Sequence, residues 1–130
     1  MRHEGRWRGV GIALAFGAAY DLAFGVAILA FTRPAASSLG LTVPEDPVYL
    51  YLNGVFLLLL AALYAAAARE PDRYPAVAPI SAAGRALGFL LFVWAWAGGR
   101  PGSFLALGLA DLVIAVATFA AWRRSASLSD

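Results

Sequence analysis

Asp21, Arg85 and Asp111 are ionisable residues set deep inside long apolar runs, and they are the side chains through which this chain could do chemistry. A lone charge at the centre of a bilayer costs about 2.5–3.5 kcal/mol on insertion scales, so each needs a partner or water. Two carboxylates and one guanidinium allow two outcomes. In the first, Arg85 bridges Asp21 and Asp111, its donors satisfy both carboxylates, and Asn53 or Tyr20 takes up the remaining lone pairs. Such a clasp fixes which helices touch. In the second, the excess negative charge is removed by protonating one Asp. A protonatable carboxylate beside an arginine at mid-membrane is the raw material of proton-coupled transport or of anionic head-group binding. A register in which the three groups never meet stays open as well.

Other chemistries find no residues. The sole histidine, His3, and the sole methionine, Met1, lie in the N-terminal arm, and cysteine is absent. No catalytic residue, cofactor site or metal site is therefore expected: neither a haem axial pair nor a His/Cys metal site can be assembled in the apolar runs. A Ser-His nucleophile system and a Gly-rich phosphate loop are missing too. Ser81 and Thr118 read as donors to helix carbonyls. Trp94-Ala95-Trp96 reads as an interface anchor.

Composition says what carries these residues. The 130-residue chain is 62% hydrophobic and 14% charged, with a mean hydropathy of +0.73, against about 25% charged residues in a soluble domain. A single integral membrane domain over 1–130 is the expectation. All basic residues are Arg and the net charge is only +2, so a nucleic-acid partner is not expected. Membrane lipid is the expected partner, with a homo-oligomer or a larger membrane complex open.

Four apolar runs predict an all-α bundle of transmembrane helices at about 9–31, 48–68, 76–97 and 103–122, each near the ~20 residues needed to cross a ~30 Å core. The apolar core of the first run exceeds a signal-peptide h-region of about 7–15 residues, so that helix is read as retained. A polar arm over 1–8 precedes it, with Trp7 placed at the interface, and Arg33-Pro34 ends it. The longest loop follows, its middle (Leu39-Gly40-Leu41-Thr42-Val43) apolar enough to lie in the interface. Pro79 bends or delays the start of the third helix, and Arg123-Arg124 stops the fourth.

Arg2, Arg6, Arg8, Arg69, Arg73, Arg123 and Arg124 face one side, against Arg33 and Arg100 on the other. The positive-inside rule then predicts both termini in the cytoplasm. Trp7, Tyr74 and Trp122 would line the inner interface, and Tyr49, Tyr51, Trp94 and Trp96 the outer. Counting 1.5 Å per residue from the cytoplasmic ends puts Asp21 about 18 Å deep, Asp111 about 16 Å, Arg85 about 15 Å and Asn53 about 22 Å. The three charges can share a level.

Helical faces bring them together. Gly108, Asp111, Ala115, Thr118 and Trp122 form one stripe, and Asn53, Leu57, Leu60 and Tyr64 another. Gly17, Asp21 and Gly25 are four apart, as are Gly84 and Gly88. Small residues at that spacing let helices approach closely in lipid, which makes Gly17, Gly25, Gly84, Gly88 and Gly108 the expected packing positions. Asp21-Leu22 and Asp111-Leu112 open segments that echo one another, a weak mark of an internal repeat.

Several short motifs carry a resemblance: Tyr20-Asp21-Leu22, Leu39-Gly40-Leu41, Glu70-Pro71-Asp72-Arg73-Tyr74, Gly84-Arg85 and Asp111-Leu112. Together they resemble small bacterial four-helix membrane proteins of the DoxX-like type. The resemblance implies a bacterial inner-membrane protein and brings no assigned activity. Where Gly-Lys is expected, Gly84-Arg85 stands. That departure keeps the charge and adds a fork, so a paired role survives it while a role needing a deprotonated amine does not. Three functions compete: a non-enzymatic accessory or structural subunit, a small oligomeric proton-coupled transporter or channel using Asp21, Asp111 and Arg85, and a membrane enzyme acting on lipid or quinone. The accessory role is the leading expectation.

Overall fold

The computed structural model describes residues 2–127. Met1 and residues 128–130 lie outside it, and so does the His3 side chain. Among the described residues the chain is all-α: α1 (Arg2–Ala30), α2 (Thr32–Ser38), α3 (Val48–Arg69), α4 (Val77–Ala97) and α5 (Gly102–Ala126). Four helices, over Gly5–Ala30, Val48–Arg69, Val77–Ala97 and Gly102–Ala126, are long and apolar enough to cross a membrane. Their outer surfaces are clad in exposed Leu, Ile, Val and Phe, as lipid contact requires.

Prolines and glycines punctuate the elements. The Pro34 ring cannot sit in a helix that includes Ala30, because it would strike the carbonyl four residues back. The chain bends at Phe31 and restarts as α2, with Pro34 in its first turn. The segment read as one long loop thus holds a short helix. Glu70, held extended before Pro71, closes α3. Pro79 is the third residue of α4, where a missing N–H leaves no bond unmade. Gly99, at φ +95°, turns the chain out of α4.

The helices form two hairpins, α1 with α3 and α4 with α5, which join along α1 and α5. Neither α3 with α4 nor α3 with α5 packs extensively. The first hairpin closes tightly through small residues. A Cβ at Gly11 would lie 2.8 Å from the Ala68 carbonyl oxygen, and one at Gly54 2.8 Å from Leu29 Cγ. A Cβ at Gly25 would lie 2.8 Å from Leu58 Cδ2 and 3.1 Å from the Gly54 carbonyl oxygen. In the second hairpin, a Cβ at Gly108 would come 3.0 Å from Phe92 Cβ.

Several boundaries and faces differ from the sequence expectation. The N-terminal arm is helical, because Trp7, Val10 and Leu14 continue the buried stripe of α1. Trp7 is only 9% exposed and packs with Tyr64, Ala67 and Ala78 instead of facing the interface. At the other end α5 runs past Arg123-Arg124 to Ala126. Ser125 continues the stripe of Asp111, Ala115, Thr118 and Trp122, and its hydroxyl donates to the carbonyls of Arg6 (2.8 Å) and Ala121 (3.0 Å). That bond holds the start of α1 and the end of α5 at the same end of the bundle. Gly84 is not a packing position: it is exposed, and an added Cβ would meet nothing within 4 Å.

Replacing Gly11 by Ala pushes a methyl against a backbone oxygen that cannot retreat. Overpacking of this kind costs about 1–3 kcal/mol, so Gly11→Ala should lower the melting temperature in detergent, whereas Gly84→Ala should leave it unchanged or raise it. Equal melting of both variants would contradict the close α1–α3 approach.

Candidate functional site

The site begins with the buried face of α4. Ala78, Ser81, Ala82 and Arg85 repeat at helical spacing and turn inward. Arg85 is 7% exposed and reaches across both hairpins. Its Nη1 donates to Asp111 Oδ1 at 2.9 Å, linking α4 to α5. Its Nη2 forms an ion pair with Asp21 Oδ1 at 2.9 Å and donates to the Gly17 carbonyl at 3.1 Å, linking α4 to α1. Charge-assisted bonds of this length are the strong class of hydrogen bond. Arg85 Nε is buried without a hydrogen-bond partner, and so is Thr118 Oγ1. The carbonyl-bonded hydroxyl expected of Thr118 belongs instead to Ser125.

Two rings flank the guanidinium. Its Cζ lies 5.4 Å from the Tyr20 ring centroid and 5.9 Å from that of Tyr64, so cations are favoured here by ring faces as well as by carboxylates. Tyr20 thus meets the cluster through its ring and not through a hydroxyl bond. Asn53 stands apart, exposed on α3, with no hydrogen bond to the cluster. The face of Asn53, Leu57, Leu60 and Tyr64 lines the cavity between the hairpins, but only Tyr64 is buried; the other buried residues of α3 are Gly54, Ala61 and Ala67.

Gly17 and Gly88 make room for charge. A Cβ at Gly17 would lie 3.2 Å from Arg85 Nη2, and one at Gly88 3.0 Å from Asp111 Oδ2. Their spacing to Asp21 and Arg85 was visible in the sequence, but it read as helix packing.

The cluster is not sealed. A cavity of about 860 Å³ occupies the wedge between the hairpins, with Asp21, Arg85 and Asp111 in its wall. All four long helices line it, as do α2 and the segment after it. From Arg85 to Gly99 along α4 it spans about 20 Å at 1.5 Å per residue. Its far end is roofed by Leu39, Gly40 and Leu41, which are pinned in place. Ser103 Oγ donates to the Leu39 carbonyl, and Gly40, at φ +67°, sits against Pro101. The apolar loop segment expected at the interface is therefore a cover over the cavity. Arg100 is the one further charged residue in the lining, at that same far end.

A larger hollow of about 1190 Å³ follows the α1–α3 seam. Alanine is the commonest residue in its walls, and its charged residues, Arg8, Arg69 and Asp72, stand together at one end. It lacks the convergent polar groups of the cavity between the hairpins, which is the candidate site on chemical grounds. No group of His, Asp and Glu among the described residues could hold a metal ion.

Four membrane-crossing helices around a charged, partly open cavity define a multi-pass membrane protein. Comparison of the chain with protein-family models, with curated proteins and with solved structures gives no match.

Removing one member of a buried ion cluster strands the others and costs about 3–5 kcal/mol. Arg85→Leu should therefore melt well below the wild type in detergent. The triple change Arg85→Leu, Asp21→Asn, Asp111→Asn should recover most of the loss. A wild-type melting temperature for Arg85→Leu would mean that the three groups are not coupled in the folded protein.

Proposed function

We propose that this protein is a small carrier for a bilayer-soluble molecule, with Asp21, Asp111 and Arg85 as a proton-exchanging site at the inner end of its cavity. The observation that carries the reading is that the cavity ends on the charge cluster. A clasp that served only to join helices needs no adjoining space with its carboxylates in the wall. The weakly packed α3–α4 edge supports entry sideways from the lipid: Gly84, Asn53 and Leu60 line the cavity and are themselves exposed.

Topology and location belong to the same reading. Arg6 and Arg8 on α1, Arg69 and Arg73 around the α3–α4 turn, and Arg123 and Arg124 on α5 gather at the end where Ser125 meets Arg6. By the positive-inside rule that end, with both termini, is cytoplasmic, and the cavity lies toward the outer leaflet. The resemblance to DoxX-like proteins supports a bacterial inner membrane as the location.

A second reading keeps the protein as an accessory subunit. Both terminal guanidinium nitrogens of Arg85 are engaged within the chain, which suits a clasp. In that reading a second copy or a larger complex seats a helix on the open α3–α4 edge.

Proteoliposomes under an imposed pH gradient separate the two. With one cationic, one neutral and one anionic lipophilic fluorophore tested in turn, the carrier should move at least one of them with the gradient. Asp111→Asn, which leaves Arg85 paired with Asp21, should abolish the movement. Transport of none of the three at any gradient would return the protein to the accessory role.

A further inference from the structure

We infer that the cavity selects a lipophilic monocation and that each cation bound releases one proton from the Asp21–Asp111 pair. The inference rests on the carrier reading above and adds the charge of its substrate.

Charge counting is the first step. Two carboxylates share one guanidinium, so the fully ionised cluster carries one negative charge in excess. Arg85 spends its terminal nitrogens on Asp111 Oδ1, Asp21 Oδ1 and the Gly17 carbonyl, and its Nε is buried. Of its five N–H donors two are left, the buried Nε and one on Nη1, so an anionic head group would meet at most one reachable donor beside two carboxylates. The carboxylates, by contrast, keep capacity: among the described residues no hydrogen bond reaches Oδ2 of Asp21 or of Asp111. Asp111 is also the most open member, its side chain 14% exposed against 5% for Asp21 and 7% for Arg85. The excess charge belongs to the acceptors, and the more open of the two carboxylates is Asp111. A low-dielectric site in that state takes up a proton or another monocation.

The surroundings fit a cation with an apolar body. The groups gathered around the Arg85 guanidinium of α4 are the Tyr20 ring and Asp21 on α1, the Tyr64 ring on α3 and Asp111 on α5. Tyrosine ring faces attract cations. Beyond them the wall is Phe24, Leu57, Phe92, Phe104 and Leu107, and the nearest further charge is Arg100 at the opposite end. The volume of about 860 Å³ lies within the range of small-molecule sites.

The exchange balances. With the cavity empty, one carboxyl holds a proton and the cluster is neutral. A bound monocation takes over that charge, the carboxyl O–H bond breaks, and the proton leaves to water. The cluster remains neutral throughout. Protons and cations thus compete, and cation affinity should fall about tenfold for each pH unit below the point where the empty site is half protonated.

Tetraphenylphosphonium and tetraphenylborate share size and shape but differ in the sign of their charge. Equilibrium dialysis of the intact protein in detergent, with both ions and with neutral triphenylmethane, tests the inference. The phosphonium should bind saturably and at least about tenfold more tightly than the borate. It should release one proton in weakly buffered solution, and bind more weakly as pH falls. Asp111→Asn copies the protonated carboxyl in shape and charge, so it should fold normally, bind the phosphonium at least about tenfold more weakly, and release no proton. Leu57→Trp, which narrows the cavity without changing its charge, should weaken binding without altering proton release per cation bound.

Preference for the borate, or phosphonium binding without proton release and without pH dependence, overturns the inference. Binding of triphenylmethane alone overturns it too, while leaving the cavity as a carrier site. Binding of none of the three probes removes both.

Discussion

Arg85 has to be neutralised where it stands, and the structure answers that need from both hairpins at once. Asp111 comes from its own hairpin and Asp21, with the Gly17 carbonyl, from the other. In lipid no hydrophobic effect drives one helix against another. A charge-assisted contact between two otherwise apolar pairs therefore has disproportionate weight in choosing how they dock. Gly17 and Gly88 are the local cost of that choice: a methyl at either position would crowd the guanidinium or the Asp111 carboxylate. Tyr20 and Tyr64 complete the shell with ring faces.

The cavity follows from the same geometry. Small residues close α1 onto α3, and the hairpins meet along α1 and α5, so α3 and α4 are left as diverging edges. The space between them reaches the one place where the chain has concentrated its buried charge. Pinning of Leu39 by Ser103 roofs that space at one end, while the α3–α4 edge leaves it less closed to the side. A structural clasp and a binding site are thus not alternatives in kind. The same three side chains can hold the hairpins together and present spare carboxylate oxygens to whatever enters.

Much of this was legible from residue types and spacing. The four apolar runs located the helix ends to within about four residues except at the start of α1, which begins at Arg2 instead of about residue 9, because hydropathy and proline positions dominate in lipid. Depth counting placed Asp21, Arg85 and Asp111 at one level, and the structure brings all three together. What could not be read were preferences decided by neighbours. Trp7 looks like an interface residue by type, yet it fills the core because the arm stays helical and continues the Val10–Leu14 stripe. Asn53 shares a face with Tyr64, and both line the cavity, but Tyr64 is buried against α1 while Asn53 is left exposed. Gly84 and Gly88 have the same spacing to the eye, and only the neighbouring helix shows that one faces open space and the other a carboxylate. Ser125 could have been found, since it extends the α5 stripe by one more turn.

The central claim is that the cluster, one charge in excess when fully ionised, holds a single proton between two carboxylates when the cavity is empty. Infrared difference spectroscopy of the purified protein at neutral pH measures this directly through the carbonyl stretch of a protonated carboxyl. The account predicts one such signal per chain, absent from the Asp21→Asn, Asp111→Asn double variant and lost from the wild type when tetraphenylphosphonium is added. A wild type with no protonated-carboxyl signal, both aspartates ionised beside a single arginine, would contradict it.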